Sequence, residues 1–292
     1  MAQRPDFLSF DGPDGPIAAL RWPGLPGAPT VVAIHGITAN AWHFDPVAHR
    51  LAGAVDLVAV DLRGRGRSVD HPGPFGIRCH ADDIAAVIRE IGRPAVLVGH
   101  SMGGSVALMT ADRHPDLVDD VILVDGGTAL SVPDGTSVDE ALDASLGPAI
   151  ERLRKVWADR VSYHTMWSQH PAFVDGISID LERDLLSDLV AVDGGFRTAV
   201  DEAAVRTDGR ELLADDEVRS LLERRTRRTT IIHAPAGLDG SPPPLIDDST
   251  IAALPDHEWI SAPGTNHYTV LLGPIGANLV SRTIRASIGL YA

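Results

Sequence analysis

Cysteine is almost missing from this chain: Cys79 is the only one in 292 residues. A lone thiol excludes an internal disulfide and any site held by several thiolates. With no glycine elbow around it, Cys79 reads as a packed thiol and not as a nucleophile. Positive charge is also scarce, with 25 Lys and Arg against 40 Asp and Glu and a formal net charge of -15. Phosphate backbones and anionic bilayers repel such a chain, so neither nucleic acid nor a membrane is expected as a partner. No apolar run approaches the roughly 20 residues that a bilayer span requires. The start, Met1-Ala2-Gln3-Arg4-Pro5-Asp6, lacks the apolar core of a signal peptide, and the expected location is the cytoplasm. Histidines number twelve, but none are paired at ligand spacing on one helix face, so no metal is expected.

What is present is an alternation of short apolar runs and amphipathic segments. Phe7 to Phe10 and Ile17 to Trp22 flank Asp11-Gly12-Pro13-Asp14-Gly15 and read as an antiparallel hairpin at a sheet edge. Thr30 to Ile34, Asp56 to Val60, Pro94 to Val98, Val121 to Asp125, Thr229 to Ala234 and His257 to Ser261 read as strands, with helices over Ala41–Ala54, Ala81–Ile91, Ser105–Arg113 and Ile275–Ile288. That rhythm predicts an α/β fold: a mostly parallel, eight-stranded twisted sheet with helices on both faces. Between Gly126 and Arg228 it stops. Helical pieces are expected at Leu146–Arg160, Leu181–Val192, Phe196–Val205 and Asp216–Arg225, with no buried strand among them. The stretch is several times longer than a crossover needs. The expected division is a core of 1–125 and 229–292 with a helical cap, 126–228, inserted after strand six.

The run Val96-Leu97-Val98-Gly99-His100-Ser101-Met102-Gly103-Gly104 is a strand, a sharp turn and the start of a helix. Gly99-x-Ser101-x-Gly103 suits a turn in which strand and helix approach closely and the serine is held in strained dihedrals. The hydroxyl then stands at a helix N-terminus, where free backbone N–H groups can meet a developing oxyanion.

With these elements in place the chain resembles the α/β-hydrolase superfamily, in particular its serine carboxylesterase-like members with a helical cap. Four landmarks carry the resemblance in order: His35-Gly36, Asp61-Leu62-Arg63-Gly64-Arg65-Gly66-Arg67-Ser68, Gly99-His100-Ser101-Met102-Gly103-Gly104, and Asn266-His267. It implies Ser101 as nucleophile and His267 as general base, with an oxyanion hole of the Ile37 and Met102 main-chain N–H groups. For the acid it nominates Asp239, in the loop after the seventh strand, with Asp125 after strand six as the alternative. Asp247 and Asp248 instead suit a helix N-terminus. His35, His100 and the arginines of Asp61–Ser68 are expected to tie down turns. Trp157, Tyr163, His164, Met166, Trp167 and Phe173 are candidates to line an acyl pocket or to pack the cap onto the core.

The implied activity is hydrolysis of a small carboxylic ester, or of a lactone or thioester, through an acyl-enzyme and without a cofactor. Carbon–carbon bond hydrolysis and perhydrolase or haloperoxidase-type chemistry use the same serine and histidine and are the nearest alternatives. A non-catalytic ligand receptor on the same fold is the alternative of another class.

Overall fold

The computed structural model describes residues 4–130, 132–174, 176–177 and 179–290. Strands β1 (Asp6–Gly12) and β2 (Gly15–Trp22) form the expected hairpin, followed by β3 (Thr30–Ile34), α1 (Asp45–Leu51), β4 (Asp56–Val60), α2 (Ile77–Ile91), β5 (Ala95–His100), α3 (Met102–Arg113) and β6 (Val118–Val124). The insertion holds α4 (Val138–Arg154), α5 (Arg160–Ser168), α6 (Ile179–Leu186), β7 (Leu189–Val192), β8 (Gly195–Thr198), α7 (Glu202–Ala214) and α8 (Asp216–Arg219). The chain then resumes with β9 (Thr229–His233), α9 (Asp248–Ala253), β10 (Glu258–Ser261), α10 (Thr269–Leu272) and α11 (Pro274–Ser287).

The main sheet has eight strands in the order β1-β2-β4-β3-β5-β6-β9-β10. Only β1–β2 and β2–β4 pair antiparallel; the rest run parallel. Every residue of β3, β4 and β5 is buried, as a strand covered on both faces requires. Helices α2 and α3 pack on one face, where Ile77, Ala81, Ile84 and Ile88 recur at helical spacing towards the strands. Helices α1 and α11 cover the other through Val47, Leu51, Val280 and Ile284. Gly92, at φ +82°, ends α2 by taking the left-handed cap conformation.

The insertion departs from the expected run of helices. Residues 189–198 form an antiparallel hairpin and not the end of one helix and the start of the next. Asp193-Gly194 supplies the turn, and Leu189-Val190-Ala191-Val192 is a β-branched, apolar run that pairs more readily than it coils. Helix α4 ends at Arg154, and α5 starts only after the Asp159 side chain caps it. An aromatic and aliphatic cluster of Trp157, Tyr163, Trp167, Phe173, Leu181, Leu185 and Leu189 holds the first part of the insertion together and reaches Leu272. Its second part is fastened to the turn after β4: Gly66 donates its N–H to the Ala199 carbonyl at 2.8 Å, and Asp201 donates to the Gly64 carbonyl at 2.8 Å.

Candidate active site

Three loops at the carboxyl ends of parallel strands meet at one place, the position where open α/β sheets bind ligands. The turn from β5 to α3 holds Ser101 at φ +55° and ψ -123°. Such a conformation costs a non-glycine residue about 1–3 kcal/mol and persists only when its surroundings enforce it. Here they do. A Cβ on Gly103 would sit inside the Ile34 carbonyl, and one on Gly99 would collide with the backbone of Gly103. The two small positions therefore let strand and helix close on the turn.

His267 follows β10, with Nε2 3.1 Å from the Ser101 Oγ. Its Nδ1–H donates to Asp125 Oδ2 at 2.7 Å. The other Asp125 oxygen, Oδ1, accepts the Ala234 N–H at 2.9 Å, so the carboxylate is fixed by β9 as well as by the histidine. Asp125 is completely buried and His267 nearly so. Serine, histidine and aspartate thus form one hydrogen-bonded line.

This geometry corrects the expected acid. Asp239 is exposed, and its Oδ1 accepts from the N–H and the hydroxyl of Ser241 at 3.0 and 2.9 Å. Those bonds hold the carboxyl below its ordinary range. It is the closing residue of a local turn. A signal for Asp125 was present: it stands directly at the end of the strand beside β5 and precedes Gly126-Gly127. A side chain on Gly126 would overlap the backbone of Ser101, so this glycine marks where the β6 end touches the elbow. Asp239 lies five residues beyond Ala234, in a loop with its own hydrogen bonds.

The neighbouring histidines keep structural positions. His100 Nε2–H donates to the His267 carbonyl at 2.9 Å, supporting the histidine loop from below. Burial, then the charge of His267, pushes its pKa well below the ordinary value, so it stays neutral. His35 Nδ1–H donates to the Gly36 carbonyl, and its Nε2 accepts the Leu62 N–H. Gly36 packs on the elbow, where an added Cβ would lie 3.2 Å from that of Ser101. The amides of Met102, directly after the serine, and of Ile37, directly after Gly36, meet no acceptor among the described residues. Asn266 braces the loop: its Nδ2 donates to the Ala172 carbonyl at 2.7 Å, while Oδ1 accepts from the Tyr268 and Thr269 N–H groups.

Of the arginines after β4, Arg63 and Arg65 are buried and face inward, while Arg67 is exposed and lies over the Phe7 ring. Arg63 is held by Asp83, with its Nε donating at 2.6 Å. Arg65 Nε donates to the Ile37 carbonyl at 3.0 Å, and its Nη2 lies 2.6 Å from Asp208 Oδ2, an ion pair too oblique for a well-formed hydrogen bond. His80 Nε2 meets the same Asp208 oxygen at 2.9 Å. Burial would raise the Asp208 carboxyl, but His80 and Arg65 outweigh it and hold the value at about 2.

Of the six residues expected around the pocket, two pack on Tyr268, the neighbour of the histidine. Trp167 and Phe173 each pack on Tyr268, with ring centroids 5.6 and 5.7 Å away, and Tyr268 packs on His267 at 5.8 Å. Trp157 and Tyr163 turn into the insertion and pack edge to face at 5.2 Å. The Tyr163 hydroxyl donates to Asp188 at 2.9 Å, which gives it an interior role. Met166 packs against the same cluster, and His164 lies 4.0 Å from Glu182. Tyr268 and His170, which rim this cluster, were not read from the sequence. The position directly after His267 was the available signal for the first.

A match over residues 31–274 places the chain in the alpha/beta hydrolase family. It is 30% identical over 253 residues to the 2-(acetamidomethylene)succinate hydrolase of Mesorhizobium japonicum, covering 84% of each chain. A pimeloyl-[acyl-carrier protein] methyl ester esterase of Neisseria meningitidis is 34% identical over 194 residues, 66% of this chain and 72% of that protein. The crystal structure of an E-2-(acetamidomethylene)succinate hydrolase superposes with a TM-score of 0.79 and 24% identity, covering 98% of this chain and 99% of that one, which establishes the common fold.

Proposed function

We propose that the protein is a serine hydrolase that cleaves a carboxylic ester, or a related acyl derivative, through an acyl-enzyme. The observation that carries this reading is the single hydrogen-bonded line from Ser101 through His267 to Asp125. A serine hydroxyl is protonated at neutral pH and attacks only when a base removes its proton. With Nδ1–H bonded to Asp125, His267 presents the lone pair of Nε2 to Ser101. The proton passes to Nε2 as Oγ attacks the carbonyl carbon, and Asp125 stabilises the imidazolium. The Ile37 and Met102 amides receive the oxyanion. Nε2–H then protonates the leaving group, and water repeats the sequence to release the acid. Segment 126–228 acts as the cap, with Trp167 and Phe173 shaping the acyl pocket beside Tyr268.

The alternative linkage is an amide. Its support is the extended similarity to a hydrolase named for an acetamido-bearing succinate, as against the methyl ester named for the Neisseria relative. Hydrolysis of p-nitrophenyl acetate and of matched esters and amides by the purified protein tests both readings. Ser101→Ala should lower kcat/KM by about 10³-fold or more with the fold retained. A fluorophosphonate should add one adduct per chain, at Ser101. Unaltered turnover by folded Ser101→Ala would overturn the nucleophile, and a ligand recovered intact after prolonged incubation would point to a receptor.

A further inference from the structure

Arg152 stands in the last turn of α4 with its Cζ 4.8 Å from the centre of the Trp167 ring. It is half-buried, and no carboxylate pairs with it among the described residues. The arginines near it are satisfied: Arg154 by Glu202, Arg206 by Glu202 and Asp143, and Arg210 by Asp139. Stacking over an indole face and sitting at a helix C-terminus both stabilise the charge, yet neither uses the N–H donors at the guanidinium edge.

Two more donors share the same indole. His170 packs on Trp167 at 5.3 Å and on Tyr268 at 5.7 Å, and Tyr268 packs on Trp167 at 5.6 Å. His170 Nδ1 accepts the Ala172 N–H at 3.2 Å, so its proton resides on Nε2. That Nε2–H and the Tyr268 hydroxyl have no acceptor among the described residues. The Arg152 charge is felt at both. Burial and then Arg152 lower the His170 pKa, and Arg152 opposes the rise that burial gives Tyr268. Asp239 and Asp188 act on the same two rings from other sides, but Asp188 is occupied by Tyr163 and Asn40.

We propose that Arg152, with His170 and Tyr268, is a subsite for a carboxylate on the substrate, two aromatic rings away from His267. One guanidinium and two neutral donors match a monoanion with a forked pair of acceptors. The inference rests on the hydrolase reading and narrows its substrate class to acyl derivatives whose acid portion carries a second, free carboxylate.

Two measurements test it. Monomethyl and dimethyl glutarate differ at one end only, and the wild type should favour the half-ester. Arg152→Gln should lower kcat/KM for the half-ester by about 10- to 100-fold, mainly through KM. That loss should exceed the loss on the diester at least about tenfold, and Arg152→Lys should restore part of it. Equal losses on both esters would overturn the subsite and give Arg152 a packing role. The second measurement needs no turnover: Ser101→Ala protein should bind glutarate by calorimetry, about tenfold or more weakly when Arg152→Gln is added. Binding that is absent or indifferent to Arg152 overturns the subsite. Arg152-dependent binding by a protein inert to every ester and amide would sustain it while removing the hydrolase reading.

Discussion

Ser101 and Asp125 both hold positive φ, +55° and +47°, at the ends of neighbouring strands. Two strained residues side by side, one bearing a hydroxyl and the other a buried carboxylate, are a local concentration of strain that packing alone does not require. Asp125→Asn keeps the side chain's size while removing the charge that, on the proposed mechanism, stabilises the imidazolium. It should lower kcat by about 10²- to 10⁴-fold. Asp239→Asn changes an exposed turn and should leave kcat within about twofold. Steady-state kinetics of the two purified variants ranks them directly, and the reverse order would return the acid to Asp239. The meeting of Ser101 and His267 was legible because each follows a strand inside a short, distinctive motif. The acid was less so, because an aspartate needs no special neighbours in sequence, only a place across the sheet from the histidine. Its trace was Gly126, whose need to be small comes from Ser101 and shows only once the strands are adjacent.

At the level of elements, the central strands β3, β4 and β5 were readable because burial on both faces leaves continuous apolar runs. The insertion was harder. Half-buried helices and a half-exposed hairpin carry similar mixtures of polar and apolar residues, and β7 alternates too briefly to outweigh the helical pattern before it. The anchor between α7 and the core was invisible for another reason: Asp208 has no motif, and its partners Arg65 and His80 lie more than a hundred residues earlier. All three are buried. Asp208→Ala should cost about 3–5 kcal/mol, since it strands Arg65 without a counter-charge. The pH dependence follows from the sign of the shift. The carboxyl sits at about 2 in the fold against an ordinary 3.8, so its contribution is complete above about pH 4 and disappears as the pH falls through 2. Roughly 2 kcal/mol of stability should be lost over that window. Denaturant titrations at pH 5, 3 and 2 on the wild type and Asp208→Asn check this; equal slopes in the two proteins would deny Asp208 that part.

Across the whole molecule, the formal net charge of -15 bears on how a carboxylate-bearing substrate arrives, because the overall field opposes it. Added salt should therefore raise kcat/KM for monomethyl glutarate, while dimethyl glutarate should respond little between about 20 and 200 mM. A decline with salt for the half-ester would mean that local attraction near Arg152 prevails over the overall field during approach. The separation of Ser101 and His267 by 166 positions has a temporal side as well. A ribosome making this chain delivers the elbow first and His267 166 residues later, with the whole insertion translated in between. At about 5–20 residues per second, that interval lasts on the order of 10 to 30 seconds. On the proposed mechanism the nascent polypeptide carries Ser101 without its base throughout that interval, so acylation by reactive esters has to wait for the histidine. Stalled chains released before residue 260 should accordingly resist the fluorophosphonate that marks the finished protein.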